Sequence, residues 1–135
     1  MIKTNIGGYT TVTKSYIPKA ETGGSAVNGG AVDRTGFLSC LMVVHSGAAT
    51  GSPTSYTLAA KLQDSATSGG TYADITGAAI TALTADNTVA LKAVDLSGAK
   101  AFIRMVVTVT FVGGTSPTLP VAAEIVLGGK DTLPT

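Results

Sequence analysis

Tryptophan is absent from this 135-residue chain, cysteine and histidine occur once each, and charged residues make up only 13% of it. Each shortage removes a class of function. A single Cys40 rules out an intrachain disulfide, and a single His45 beside it in the inventory rules out a zinc site of three or four N or S ligands built within one chain. The two residues lie five apart on one apolar run, so a strand would send them to opposite faces and no Cys–His couple can form there. With a net charge of +1 and lysines and arginines scattered along the chain, there is no electrostatic footprint for nucleic acid or an anionic membrane. No apolar stretch is long enough to span a bilayer as a helix, and the first residues, Met1-Ile2-Lys3-Thr4-Asn5, lack the apolar core of a secretory signal, so the product is expected to stay in the cytoplasm where it is made.

Motif chemistry is equally sparse. No serine sits in a G-x-S-x-G elbow, no G-x-x-x-x-G-K precedes a hydroxyl residue, and the glycine pairs never fall into G-x-G-x-x-G. Asp33, Asp64, Asp74, Asp86, Asp95 and Asp131 are well separated, as are Glu21 and Glu124. Most of these aspartates fall at turn positions, where the side chain bonds nearby backbone. A sugar platform needs exposed aromatic rings, and only Tyr9, Tyr16, Tyr56 and Tyr72 are available, with Tyr56 in an apolar alternating set. The reading is therefore of a non-enzymatic protein without cofactor or metal.

What the chain does have is alternation, and it has it twice. Residues 37–45 lead through a glycine loop ending in Ser52-Pro53-Thr54 into residues 56–63; residues 102–111 lead through a loop ending in Ser116-Pro117-Thr118 into residues 119–127. In the second copy Ile103, Met105, Val107, Val109 and Phe111 share one side of a strand, as do Leu119, Val121, Ala123, Ile125 and Leu127 of the next. In the first copy Tyr56, Leu58, Ala60 and Leu62 alternate with polar residues. The run 37–45 is apolar in both of its alternating sets, which predicts a strand buried on both sides. Each copy is expected to be a long hairpin, with proline placed where the loop hands over to a strand.

Between the copies lie shorter β-like runs over 71–76, 78–83 and 88–96. Helix has little claim, since residues 78–91 carry Thr81, Thr84, Asn87, Thr88 and Val89. Seven or eight strands with turns between them predict an all-β, antiparallel β-sandwich, of jelly-roll or Ig-like order. Residues 33–129 form that sandwich in this reading. Residues 130–135 are a tail, and residues 1–32 are an extended, glycine-rich N-terminal arm with one β-like run over 9–17. The arm is expected to add a strand to a sheet edge of a neighbouring subunit, with Tyr9, Val12, Tyr16 and Ile17 as its contact residues, leaving a domain that folds without it.

Three phrases carry a family resemblance: Asn28-Gly29-Gly30-Ala31-Val32-Asp33-Arg34-Thr35-Gly36-Phe37-Leu38-Ser39; Lys61-Leu62-Gln63-Asp64-Ser65 followed by residues 69–77; and residues 94–104, which include Asp95-Leu96-Ser97-Gly98-Ala99-Lys100. They resemble a group of small structural proteins of tailed bacteriophages encoded among head genes. The resemblance covers residues 28–129. It implies a virion component assembled in the host cytoplasm, a head decoration or cement protein whose partners are the major capsid protein or other virion proteins. A homo-oligomer is implied too, with a trimer one candidate form. A tail, neck or fibre component is the nearest alternative, and a glycan-binding sandwich the next.

Overall fold

The computed structural model describes residues 6–130; of the expected tail 130–135, Lys130 ends the last strand, and Asp131 and the residues after it lie outside the described residues. After a single helical turn at Ile6–Gly8 come ten strands: β1 (Thr11–Thr13), β2 (Lys19–Glu21), β3 (Val27–Asn28), β4 (Val32–Asp33), β5 (Phe37–Ser46), β6 (Ser55–Ser65), β7 (Ala73–Ala79), β8 (Val89–Asp95), β9 (Phe102–Val112) and β10 (Leu119–Lys130). They form two five-stranded antiparallel sheets. One runs β1-β10-β5-β8 with β2 also on β10; the other runs β3-β9-β6-β7 with β4 also on β9. The all-β sandwich expected from the sequence is what forms. Its strand count is higher because the N-terminal segment supplies four short strands, while residues 71–83 give one strand and an isolated bridge from Leu83 to Leu58.

The alternating sets fill the space between the sheets. Met42, Val44, Leu58, Leu62, Ile103, Met105, Val107, Leu119 and Ile125 are completely or almost completely removed from water. Each such side chain contributes about 1.5–3 kcal/mol relative to exposure. Cys40 joins this layer and His45 emerges on the other side of the same strand, as their odd separation requires.

The repeat is real, but its copies are not hairpins. β5 pairs with β10 from Phe37–Lys130 to Ser46–Val121, and β6 pairs with β9 along its whole length, so the two strands of each copy lie in opposite sheets. Exchanging the copies, β5 for β9 and β6 for β10, maps one pairing onto the other, which gives the sandwich an approximate internal two-fold. The loops are long enough to cross the ~10 Å between stacked sheets, and alternation alone does not tell a strand which neighbour to choose. At the crossing the two loops hold each other. Thr50 and Thr118 exchange backbone hydrogen bonds of 2.9 and 3.3 Å, and the Thr115 N–H donates to the Gly51 carbonyl at 2.8 Å. Gly51 and Gly114 sit at equivalent places with φ of 76° and 87°. A methyl group at Gly51 would lie 2.5 Å from the Thr115 carbonyl oxygen and 2.7 Å from the Pro117 Cα; one at Gly114 would lie 2.7 Å from the Gly51 carbonyl oxygen.

The N-terminal segment does not stand apart from the sandwich. β1 and β2 pair with successive halves of β10, and β3 and β4 pair with successive parts of β9. Between β1 and β2 the chain dips across to the other sheet. There the Ser15 hydroxyl accepts the Met105 N–H at 2.8 Å and donates to the Gly30 carbonyl at 2.7 Å, filling the gap in the β9 ladder between β3 and β4. The next residue, Tyr16, is buried, and its hydroxyl donates to the buried Glu21 carboxylate, which also meets the Lys19 ammonium at 3.3 Å. The segment thus laces one open side of the sandwich, and residues 6–33 are part of the folded unit and not a separate arm.

Two expectations follow. Gly51→Ala should cost about 3 kcal/mol or more in urea unfolding, since it combines a left-handed φ with a backbone collision. Gly77→Ala, at φ 76° but facing open space, should cost only the conformational term of about 1–2 kcal/mol. Equal losses would show that the loop clasp is not tight. Removing residues 1–31 should yield an insoluble or unfolded product, and Ser15→Ala, which strips the Met105 N–H of its acceptor, should lower stability by about 1–3 kcal/mol; a soluble truncated chain with a cooperative melt would contradict the lacing.

Candidate functional site

The titratable groups are mostly spent on holding the chain together. The carboxylates of Asp33 and Asp95 accept the N–H of Thr35 and Ser97 at 2.9 and 2.8 Å, each closing its own turn. Asp64 accepts the Lys100 N–H at 2.9 Å, and Asp86 accepts both the Ala49 N–H at 3.1 Å and the Tyr56 hydroxyl at 3.0 Å. Arg34 donates to the carbonyls of Lys100 (3.0 Å), Phe37 (3.3 Å) and Ala99, tying the turn before β5 to the turn before β9. The recurring phrases of the sequence are thus turn and clamp chemistry at one end of the sandwich. Among the described residues no three His, Cys, Asp or Glu side chains converge closely enough to hold a metal. Burial pushes the Cys40 thiol up to about 11, so it is a core hydrophobe in a neutral solution.

The outer faces of the two sheets differ. On the β6–β9 sheet a polar network covers the surface: Arg104 donates through Nε and Nη2 to the Gln63 carbonyl oxygen at 2.9 and 2.7 Å, Gln63 donates to Asp74 at 2.7 Å, and Lys61 reaches the other Asp74 oxygen at 2.7 Å. The Arg104 guanidinium also lies over the Tyr72 ring, 4.2 Å from its centre. This face is satisfied by its own partners.

On the β5–β10 sheet the outer face is apolar, and the described residues give it no such cover. The register places Val12, Val126, Leu41 and Ala93 side by side across four strands; Glu124, Val43 and Leu91 form the next row, and Ala122, His45 and Val89 the third. Val12, Leu91 and Val89 are 63%, 61% and 51% exposed, and Leu41, Val43 and Val126 are half-buried. Beyond the third row the face runs into a shallow dish of about 510 Å³ between Pro18–Ala20, His45 and Pro120–Ala122. The expectation that strand 37–45 is buried on both sides is therefore corrected: the described residues cover one side, and Leu41 and Val43 stay half-buried on the other.

Of the four contact residues expected in the N-terminal segment, only Val12 belongs to this face. Tyr16 points into the core, where burial first, and then the hydrogen bond to Glu21, raises its pKa far above the ordinary tyrosine value, so it is not available to a neighbour. Tyr9 is half-buried, and Ile17 is exposed at the tip of the excursion between β1 and β2. Leu41 and Val43 were missed as surface residues because a doubly apolar strand reads as core, and the layer that pattern calls for is not supplied by the described residues; Leu91 and Val126, their neighbours on β8 and β10, become part of the face only through the strand pairing.

The Thr35 hydrogen bonds to Asp33, the Lys61 hydrogen bond to Asp74 and the Ser97 backbone bond to Asp95 hold all three carboxyls below the ordinary 3.8. Their folded values lie below their unfolded ones, so the stabilisation is present above about pH 4 and is lost as pH falls through the depressed values. In acid titration followed by circular dichroism, Asp74→Asn should lose stability less steeply than the native chain below about pH 4; an unchanged slope would mean that the network does not persist in solution.

No family model matches the chain, and no curated protein matches it. A solved structure that is similar to it is that of the SPBc2 prophage-derived protein YomS, with a TM-score of 0.45 and 16% identity over 88% of this chain and 93% of that one. At that level no role passes from one protein to the other.

Proposed function

We propose that this protein is a non-enzymatic structural component of a tailed-phage particle, acting by surface contact as a decoration or cement protein on the head lattice. The observation that carries the reading is the apolar outer face of the β5–β10 sheet, which has the depleted charge of an interface centre, on a molecule whose acids and bases are largely engaged in turns and networks. The phrase resemblance across residues 28–129 supplies the phage context. A contiguous exposed apolar face is an interaction surface far more readily than a neutral part of a monomer's exterior. A tail, neck or fibre position uses the same surface argument and is the second reading. The glycan reading is not favoured: Tyr16 and Tyr56 are buried, and Tyr72 already stacks with Arg104.

The test is co-sedimentation of the purified chain with particles from its source phage that lack it, separated into heads and tails. Saturable binding to expanded heads, with improved retention of packaged DNA on heating, is the expected result. Binding to tails alone moves the assignment to the second reading, and binding to neither overturns both.

A further inference from the structure

We infer that the apolar face of the β5–β10 sheet is closed by a second copy of this chain, packed face to face about a two-fold axis. The inference rests on the reading of this face as a contact surface and not on the identity of the particle; it names a second copy as the partner at this face, so a head lattice would be met by the dimer through its remaining surface. Two-fold pairing demands a self-complementary surface, because whatever lies at one position must suit what the symmetry lays over it. The face meets that demand in its register. Glu124 stands opposite Val43 and His45 opposite Ala122, so the acid and the imidazole occupy one diagonal of a four-residue block and Val43 and Ala122 the other. A two-fold axis lying in the face along the Val43–Ala122 diagonal puts Glu124 of each copy over His45 of the other. An imidazole can donate to a carboxylate whether neutral or protonated.

The same operation places all but one of the remaining positions. Leu41 falls over Leu91 of the second copy and Val126 over its Val89, while Val43, Ala122 and Ala93 meet their own counterparts near the axis. Val12, on the outermost strand, projects past the edge strand β8 of the second copy and stays outside the contact; within the contact apolar residues meet apolar residues, and the only acid and the only imidazole of these three rows meet each other. Strands of the two copies would cross steeply, which is the orthogonal class of sheet packing. Four strands and three to four rows cover roughly 20 by 25 Å at ordinary strand spacings. Two such faces together remove at most about 1,000 Å², the lower bound for a specific interface and below the ~1,200–2,000 Å² of strongly stable ones, so a weak, concentration-dependent dimer is expected. The arrangement also supplies what the sequence of β5 asks for, a second layer over Leu41 and Val43.

Sedimentation velocity and light scattering on the full chain over a concentration series test this directly, with no particle required. A dimer is expected. Leu91→Lys, at a position exposed in the monomer, should weaken dimerisation at least about tenfold with an unchanged monomer circular dichroism spectrum. His45→Glu and Glu124→Lys should each weaken it, because each removes the acid-over-imidazole match, and the two together should restore it by placing Glu over Lys. A monomer at all concentrations, a trimer, or a dimer whose affinity is indifferent to Leu91→Lys and to the charge exchange would each overturn the inference. Failure of the chain to bind phage heads would leave this result standing, so the two readings fail separately.

Discussion

The structure depends on a crossed connection. Each sequence copy sends one strand into each sheet, so the two sheets are joined at the same end by two polypeptide arches as well as by the water-free layer between them. Separating the sheets would require opening both arches, and the arches grip each other through Thr50, Thr118, Gly51 and Thr115. The close approach is possible only because Gly51 and Gly114 lack side chains. Packing of the Leu, Ile, Val and Met layer then has a fixed register to work within, since the arches determine which residue of β5 lies opposite which residue of β10.

Polar chemistry in this molecule is fastening. Ser15 replaces a strand residue with a hydroxyl to satisfy the Met105 N–H, Arg34 reads three carbonyls on two turns, and Tyr16 and Glu21 form a buried pair that anchors the excursion between β1 and β2. A buried N–H or carboxylate without a partner is costly, and these pairings avoid that cost without a larger core. The same economy explains why recognisable phrases such as Asp33-Arg34-Thr35-Gly36 and Asp95-Leu96-Ser97-Gly98 need no active site to account for their form. Their aspartates close tight turns, and the glycine of the first adopts a φ of 85°.

Much of this was legible in the sequence. Period-two alternation identified the inward sets of β6, β9 and β10 residue by residue, and the odd separation of Cys40 and His45 put them on opposite faces. Pairing was not legible, because Ile103 to Val109 and Leu119 to Leu127 would make an equally good inner face beside either neighbour; only the loop geometry distinguishes an arch from a hairpin. The role of the N-terminal segment was hidden for another reason. Its strands are two or three residues long, too short for periodicity, and its decisive contacts are one hydroxyl and one phenol–carboxylate pair. Of the candidate surface, Val12 was anticipated, whereas Leu41 and Val43 carry a pattern that means burial and cannot say by whom.

The edges of the sheets clarify what kind of association the chain permits. A long open strand edge invites uncontrolled pairing. Here the β9 and β10 edges are occupied by the short strands β1 to β4, and the β6–β7 ladder is broken by a register shift between Lys61 and Gln63. The remaining edge, β8, carries Lys92 opposite Met42, on the inward side of the sheet, where an added strand would trap its charge against apolar neighbours. Edge addition is thus discouraged at each boundary while the broad face of the β5–β10 sheet carries Leu41, Val43, Val89 and Leu91 with one acid and one imidazole among them. A sequence selected only to stay monomeric would have placed Lys or Glu on that face, where Thr108 and Arg104 stand on the opposite sheet. The contrast favours the proposed association through a face of fixed register over open-ended strand growth.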